Sequence, residues 1–85
     1  SERQFLDLKQ PLDAAQTQVG KLYALAMLGL FDKALECGLR VREVFLRFKD
    51  FPAAGKIELN LGNIYQKRDQ YDKAEEFLRM ARNRF

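Results

Sequence analysis

The 85-residue sequence predicts an all-α protein: antiparallel helical hairpins stacked as an α-solenoid, with about four helices and an N-terminal helical stub. Three observations carry this. First, the chain repeats itself at forty residues. Phe31-Asp32-Lys33-Ala34 falls over Tyr71-Asp72-Lys73-Ala74, Glu36 over Glu76, and Phe5-Leu6 over Phe45-Leu46. Ten of the 45 comparable pairs are identical, where composition alone gives about three. Second, the apolar residues within each period recur at helical spacing. Third, no segment alternates with a period of two, and five Gly with two Pro are too few for a loop-rich fold.

The elements follow in order. Residues 1–10 form a short helical stub, and Pro11 starts the first full helix, since proline suits a first helical turn. Val19, Leu22, Tyr23, Ala26, Met27 and Leu30 give that helix one apolar face. Gly29 punctuates, and Asp32 serves the second helix as N-cap or first-turn acid. The second helix ends near Lys49, with Leu35, Leu39, the aliphatic stem of Arg42, and Leu46 as its buried stripe. Phe51-Pro52 breaks the chain and opens a third helix to about Arg68, with Ile57, Leu61, Ile64 and Tyr65 inward. Asp69-Gln70 turns into a fourth, where Phe77, Leu78, Ala81 and Phe85 recur at helical spacing.

The phase of the repeat divides the chain into residues 1–10, the tail of a preceding repeat; 11–50, a first repeat; and 51–85, a second. Residues 1–9 match 41–49, late in an element, and Phe85 repeats Phe5 and Phe45. This phase predicts a fragment of a longer array, because natural arrays are closed by atypical, polar-faced repeats. At least three repeats are normally needed to cover such a core. The outer apolar groups (Phe5, Leu6 and Leu8 at one end, Phe77 and Phe85 at the other) are therefore expected to pair with a second copy.

Composition removes most chemistry. There is no His and only one Cys, so no internal disulfide forms and the commonest general base and metal ligand are missing. No metal-ligand cluster, Gly-rich phosphate loop or nucleophile–base pair is present. Glu75 and Glu76 are adjacent on a helix and point about 100° apart, poor geometry for paired acid–base work. Catalytic residues, metal and cofactors are all expected to be absent. Cys37 lies among apolar residues and reads as a buried, inert thiol. No apolar run is long enough to span a membrane, and a lone Cys fits a cytoplasmic setting.

The net charge of +3 lies wholly in the second half, where nine basic residues face six acidic ones. Arg79, Arg82, Arg84 and the Lys67-Arg68 pair could attract nucleic acid. The acids are interspersed, however, as on a solvated helix face, and nucleic-acid binders concentrate basic charge on one stripe.

The third and fourth helices resemble a tetratricopeptide repeat. That family has an aromatic, then Leu-Gly, then Tyr in one helix, and Ala, an aromatic and Ala in the next. Here the positions read Glu58, Leu61-Gly62 and Tyr65, then Tyr71, Ala74, Leu78 and Ala81. Gly62 and Ala74 allow close helix approach, with Tyr65 and Tyr71 filling the gap beside them. The first pair is more divergent, with Leu22, Leu25 and Gly38 at the signature places, but it keeps Gly29, Phe31 and Ala34. The family's usual period is 34 residues. Forty-residue versions resemble those of peptide-binding scaffolds and bacterial signalling proteins, whereas HEAT and armadillo repeats lack the Leu-Gly-x-x-Tyr signature.

The resemblance implies a concave wall lined by the first helix of each pair. The implied groove positions are Gln16, Val19, Tyr23, Ala26 and Met27, then Lys56, Leu59, Asn60, Asn63, Gln66 and Lys67. In family members that hold peptides, asparagines at these positions bind the extended backbone, donating and accepting at once. Members that clamp a terminal carboxylate flank them with lysines in adjacent repeats. Val19 and Tyr23 stand at the matching places here and leave such a clamp incomplete. Two alternatives stay open: Asn60 and Asn63 as plain solvated residues, and Tyr23 with Met27 either as an apolar pocket or as packing against a neighbouring repeat. The implied function is a protein–protein interaction scaffold that binds a partner's peptide or helix. The alternative is a regulatory or architectural segment of a larger signalling protein, with no ligand of its own.

Overall fold

The computed structural model describes residues 2–84, with side chains described from Pro11 to Arg84. Four helices follow one another: α1 (Glu2–Met27), α2 (Phe31–Arg47), α3 (Phe51–Lys67) and α4 (Tyr71–Arg84). No strand occurs among the described residues. Each helix packs on the next in sequence, α1 on α2, α2 on α3 and α3 on α4. The result is an open slab of 47 × 28 × 14 Å, scarcely thicker than a single helix diameter.

The expected N-terminal stub is helical and continuous with α1, which carries Pro11 inside it. Pro11 therefore does not start a new helix. A proline in a helix interior has no N–H to offer the carbonyl four residues back, and the surrounding turns carry the helix past it. The side chains of Phe5, Leu6, Leu8 and Phe85, expected to pair with a second copy, lie outside the described residues. Phe77, named with them, is half-buried and stacks on Tyr65 with ring centroids 5.4 Å apart.

The three turns are near copies spaced by twenty residues. At each, one residue takes the left-handed conformation: Gly29 (φ 78°), Lys49 (φ 61°) and Asp69 (φ 62°). The next residue's N–H then closes back on the helix: Leu30 to the Leu25 carbonyl at 3.0 Å, Asp50 to Phe45 at 2.8 Å, Gln70 to Tyr65 at 2.9 Å. These six-to-one bonds satisfy carbonyls that a helix end leaves unpaired. After each turn an aromatic opens the following helix: Phe31, Phe51 or Tyr71. Asp50 also caps α3 by accepting from the Ala53 N–H at 3.4 Å, with Pro52 in the first turn.

Lys49 pays a steric cost that Gly29 avoids. A left-handed non-glycine residue is disfavoured by about 1–2 kcal/mol, partly offset by glycine's greater freedom in the unfolded chain. Lys49→Gly is expected to stabilise the fold by about 0.5–1 kcal/mol, read as a higher urea midpoint at unchanged slope. Asp69→Gly should gain less. Aspartate tolerates this conformation better, and the Asp69 carboxylate accepts from the Tyr71 hydroxyl at 3.0 Å.

The core runs along the slab through Leu22, Val41, Phe45, Ile57, Leu61 and Ile64. Two glycines set the helix spacing. A Cβ on Gly38 would come within 2.7 Å of Leu61 Cδ2 and 3.4 Å of Leu22 Cδ1. A Cβ on Gly62 would lie 2.8 Å from Leu78 Cδ2 and 3.2 Å from the Ala74 carbonyl. The contact of Leu22 with Gly38 thus recurs forty residues later as Gly62 with Leu78, large and small exchanged. The close approach expected of Gly62 and Ala74 is present, but Phe77 rather than Tyr71 fills the gap beside Tyr65. Tyr71 is exposed, and its hydrogen bond to the Asp69 carboxylate holds its phenol above the ordinary tyrosine range.

The buried face of α2 differs from the stripe expected. Leu39 is exposed, whereas Ala34, Leu35, Cys37, Gly38, Val41 and Phe45 are buried. Because α2 is gripped on one side by α1 and on the other by α3, its buried arc is wider than a single leucine stripe. Small residues take the close approaches. Cys37 is buried as expected, its thiol 3.6 Å from both the carbonyl and the side-chain oxygen of Gln18.

Candidate functional site

The first helix of each pair faces one side of the slab, where α1 and α3 border a shallow groove. Asn60 ties its two walls together. Its side-chain amide donates to the Tyr23 hydroxyl across the groove at 3.0 Å and to the Lys56 carbonyl on its own helix at 3.0 Å. Both amide hydrogens are thereby used, and the side-chain oxygen remains as an acceptor. Asn60 thereby holds the Tyr23 hydroxyl in place.

Tyr23 separates two open pockets. One, of about 400 Å³, is lined by Gln16, Val19, Tyr23, Lys56 and Ile57, among others. The second, of about 370 Å³, has Leu22, Ala26 and Ile64 as its apolar floor and Tyr23, Met27, Asn60, Asn63 and Lys67 around it. Of the groove positions implied by the resemblance, Val19, Tyr23, Met27, Lys56, Asn60, Asn63 and Lys67 come together here. Gln66 and Leu59 are exposed on α3 but line neither pocket. Tyr23 is 46% exposed and Met27 89% exposed, so within these residues neither is consumed by packing. Asn63 is exposed, and among the described residues its amide makes no hydrogen bond. Lys56 and Lys67 form no ion pair among the described residues. The groove thus offers an amide, two cations and a thioether over an apolar floor. Such a surface suits an extended chain with one apolar side chain anchored.

The opposite side of the slab carries a feature that sequence reasoning passed over. Glu58 is fully buried (0% exposed) at the position where the repeat pattern has an aromatic. Arg42 on α2 donates to it through Nε at 3.2 Å, and Arg84 on α4 through Nε at 2.9 Å and a terminal nitrogen at 3.4 Å. The guanidinium groups also stack on rings, Arg42 over Phe77 at 5.7 Å and Arg84 over Phe51 at 5.5 Å. The hydrogen bond to Glu58, with its charge, holds Arg84 above the usual arginine value against the opposing effect of burial. The sequence signal was available: Glu58 sits between Ile57 and Leu61 on the inward side of an amphipathic helix, where a carboxylate needs cationic partners.

Further ion pairs take up much of the basic surface. Arg68 pairs with Asp32, Arg79 with Glu75, and Arg40 with Glu36. No cluster of His, Cys, Asp and Glu among the described residues is placed to hold a metal ion. Among the described residues, no helix is long and apolar enough to cross a membrane.

The geometry is that of stacked helical hairpins with a grooved face, and sequence comparison gives the class. A family model for the tetratricopeptide repeat matches residues 13–85, and the chain belongs to that family. Among curated proteins, it is 37% identical over 68 residues, 80% of this chain, to the Homo sapiens intraflagellar transport protein 88 homolog. The chain spans only 7% of that relative's length. No solved structure matches it.

Proposed function

We propose that this chain is a non-enzymatic protein–protein interaction module that holds a peptide or helix of a partner in the groove between α1 and α3. The observation that carries the reading is the Asn60–Tyr23 hydrogen bond, which fixes two open pockets side by side. Asn63 is the residue that meets the partner's backbone, and Met27 with Tyr23 grips one apolar side chain. Lys56 and Lys67 favour a partner with acidic residues. The human relative is named for intraflagellar transport, and we extend that setting to this chain: a binding repeat within a transport assembly. A nucleic-acid role is less well supported, because Arg68, Arg79 and Arg84 are engaged by Asp32, Glu75 and Glu58.

The test is a peptide selected on the chain from a random library, with affinity measured by fluorescence anisotropy. Asn63→Ala is expected to weaken it about fivefold, the worth of one net hydrogen bond. Asn60→Ala should weaken it too, by freeing Tyr23. Selected peptides that ignore Asn63→Ala, Asn60→Ala and Met27→Ala alike would overturn the groove assignment.

A further inference from the structure

We infer that Met27 is a site of reversible oxidation by peroxide, and that its sulfoxide closes the apolar pocket of the groove to a partner's anchoring side chain. The inference rests on the groove reading above and adds to it a means of release. The chain has two methionines, Met27 and Met80, and they are placed in opposite ways. Met27 ends α1 and is 89% exposed. Met80 is half-buried on α4, where its sulfur accepts from a terminal nitrogen of Arg42 at 3.6 Å. Lys67, also exposed, stands forty residues after Met27, so an open side chain at this place belongs to the repeat itself.

The oxidant must reach a sulfur lone pair. On Met80 the sulfur is partly covered and shared with a guanidinium donor, whereas on Met27 it is open. A lone pair of the Met27 sulfur attacks one oxygen of hydrogen peroxide, and the S–O bond forms as the O–O bond breaks. The sulfur gives up two electrons. The departing hydroxide takes the proton of the transferred oxygen and leaves as water, and a flexible apolar side chain has become a polar one.

The surroundings turn that change into a switch. Met27 shares its pocket with Asn63 and Lys67, above the apolar floor of Leu22, Ala26 and Ile64. Among the described residues the Asn63 amide makes no hydrogen bond and Lys67 no ion pair. Both are donors without an acceptor, and a thioether accepts only weakly. A sulfoxide oxygen gives them an acceptor inside the pocket. The partner's apolar anchor then loses the wall it packs on, and Asn63 is drawn away from the partner's backbone.

The experiment treats the 85-residue chain with dilute hydrogen peroxide. Mass spectrometry follows the oxidation, and fluorescence anisotropy follows a peptide selected on the untreated chain from a random library. One oxygen atom is expected on Met27 before Met80, with binding weakened about tenfold, as loss of one apolar anchoring contact does. Methionine sulfoxide reductases for both epimers should restore it. Met27→Leu conserves the apolar volume and should bind the peptide alike with and without peroxide. The inference is overturned if Met80 is oxidised first, or if peroxide weakens Met27→Leu as much as the parent chain. It is also overturned, with the groove reading intact, if the sulfoxide leaves unchanged a binding that Met27→Ala weakens. Selected peptides that ignore Met27→Ala would instead remove the groove reading, and this inference with it.

Discussion

Replacing Phe45 by alanine is expected to cost about 3–5 kcal/mol, the range for a fully buried Phe truncated to Ala. Phe45 is only 1% exposed and among the largest side chains fully enclosed in the core. Its carbonyl is also the acceptor that closes the α2–α3 turn, so the emptied volume lies where the backbone is pinned and cannot readily collapse. A chain of this length has about 4–13 kcal/mol of stability to lose. Phe45→Ala should therefore remove about a quarter or more of that stability, seen as a urea midpoint lowered in proportion, and should unfold the protein at 25 °C only if its stability lies at the low end of that range. Tyr71→Ala is the control. Tyr71 is exposed, and its loss should shift the midpoint by about 0.5 kcal/mol or less.

The second large effect is expected at Glu58, where the sign depends on what is removed with it. Glu58→Gln keeps the shape but replaces one acceptor oxygen by a donor, facing two guanidinium groups that only donate. Breaking a buried ion pair on one side typically costs about 3–5 kcal/mol. Arg42 and Arg84 keep 17% and 25% of their side-chain surface exposed, so both can turn partly to water. The expected cost is accordingly at the low end, about 2–3 kcal/mol. Replacing all three together, as Arg42→Met, Glu58→Leu and Arg84→Met, should recover most of that loss, because the desolvation of three charges is also relieved. Urea unfolding of the single and triple variants checks both. A triple variant as unstable as Glu58→Gln would mean that the cluster contributes more than it costs to bury.

Much of the architecture was legible in the sequence because it is local. Helical spacing, Gly29, Asp50-Phe51-Pro52 and Asp69-Gln70 each act within a few residues, and they placed three of the four helices to within about two residues. The repeat carried the pairing of helices, and Gly62 with Ala74 carried their close approach. What escaped depends on distant partners. Leu39 looks like core from its own helix, but the arc that α2 buries is chosen jointly by α1 and α3. Glu58 is a core residue only because Arg42 and Arg84, 16 and 26 residues away, converge on it. Pro11 is a helix-starter by local preference, overridden by the helix on both sides of it. The groove positions came from family resemblance, and the structure adds their division of labour: Asn60 holds Tyr23, while Asn63 is left facing solvent.

Helices that pack mainly on their neighbours in sequence also have a kinetic consequence. Most contacts in such a slab join residues a few tens of positions apart, so little loop closure must precede them, and folding should be fast. Unfolding should proceed from the edges, with amide exchange quickest at α1's start and α4's end and slowest where α2 and α3 meet. Glu58 adds a longer link to this zipper. By gripping Arg42 and Arg84 together it connects α2 to α4 across α3, so α4 cannot peel away without disturbing the pair that holds α2. The two successive hairpins that share this carboxylate are accordingly expected to melt together.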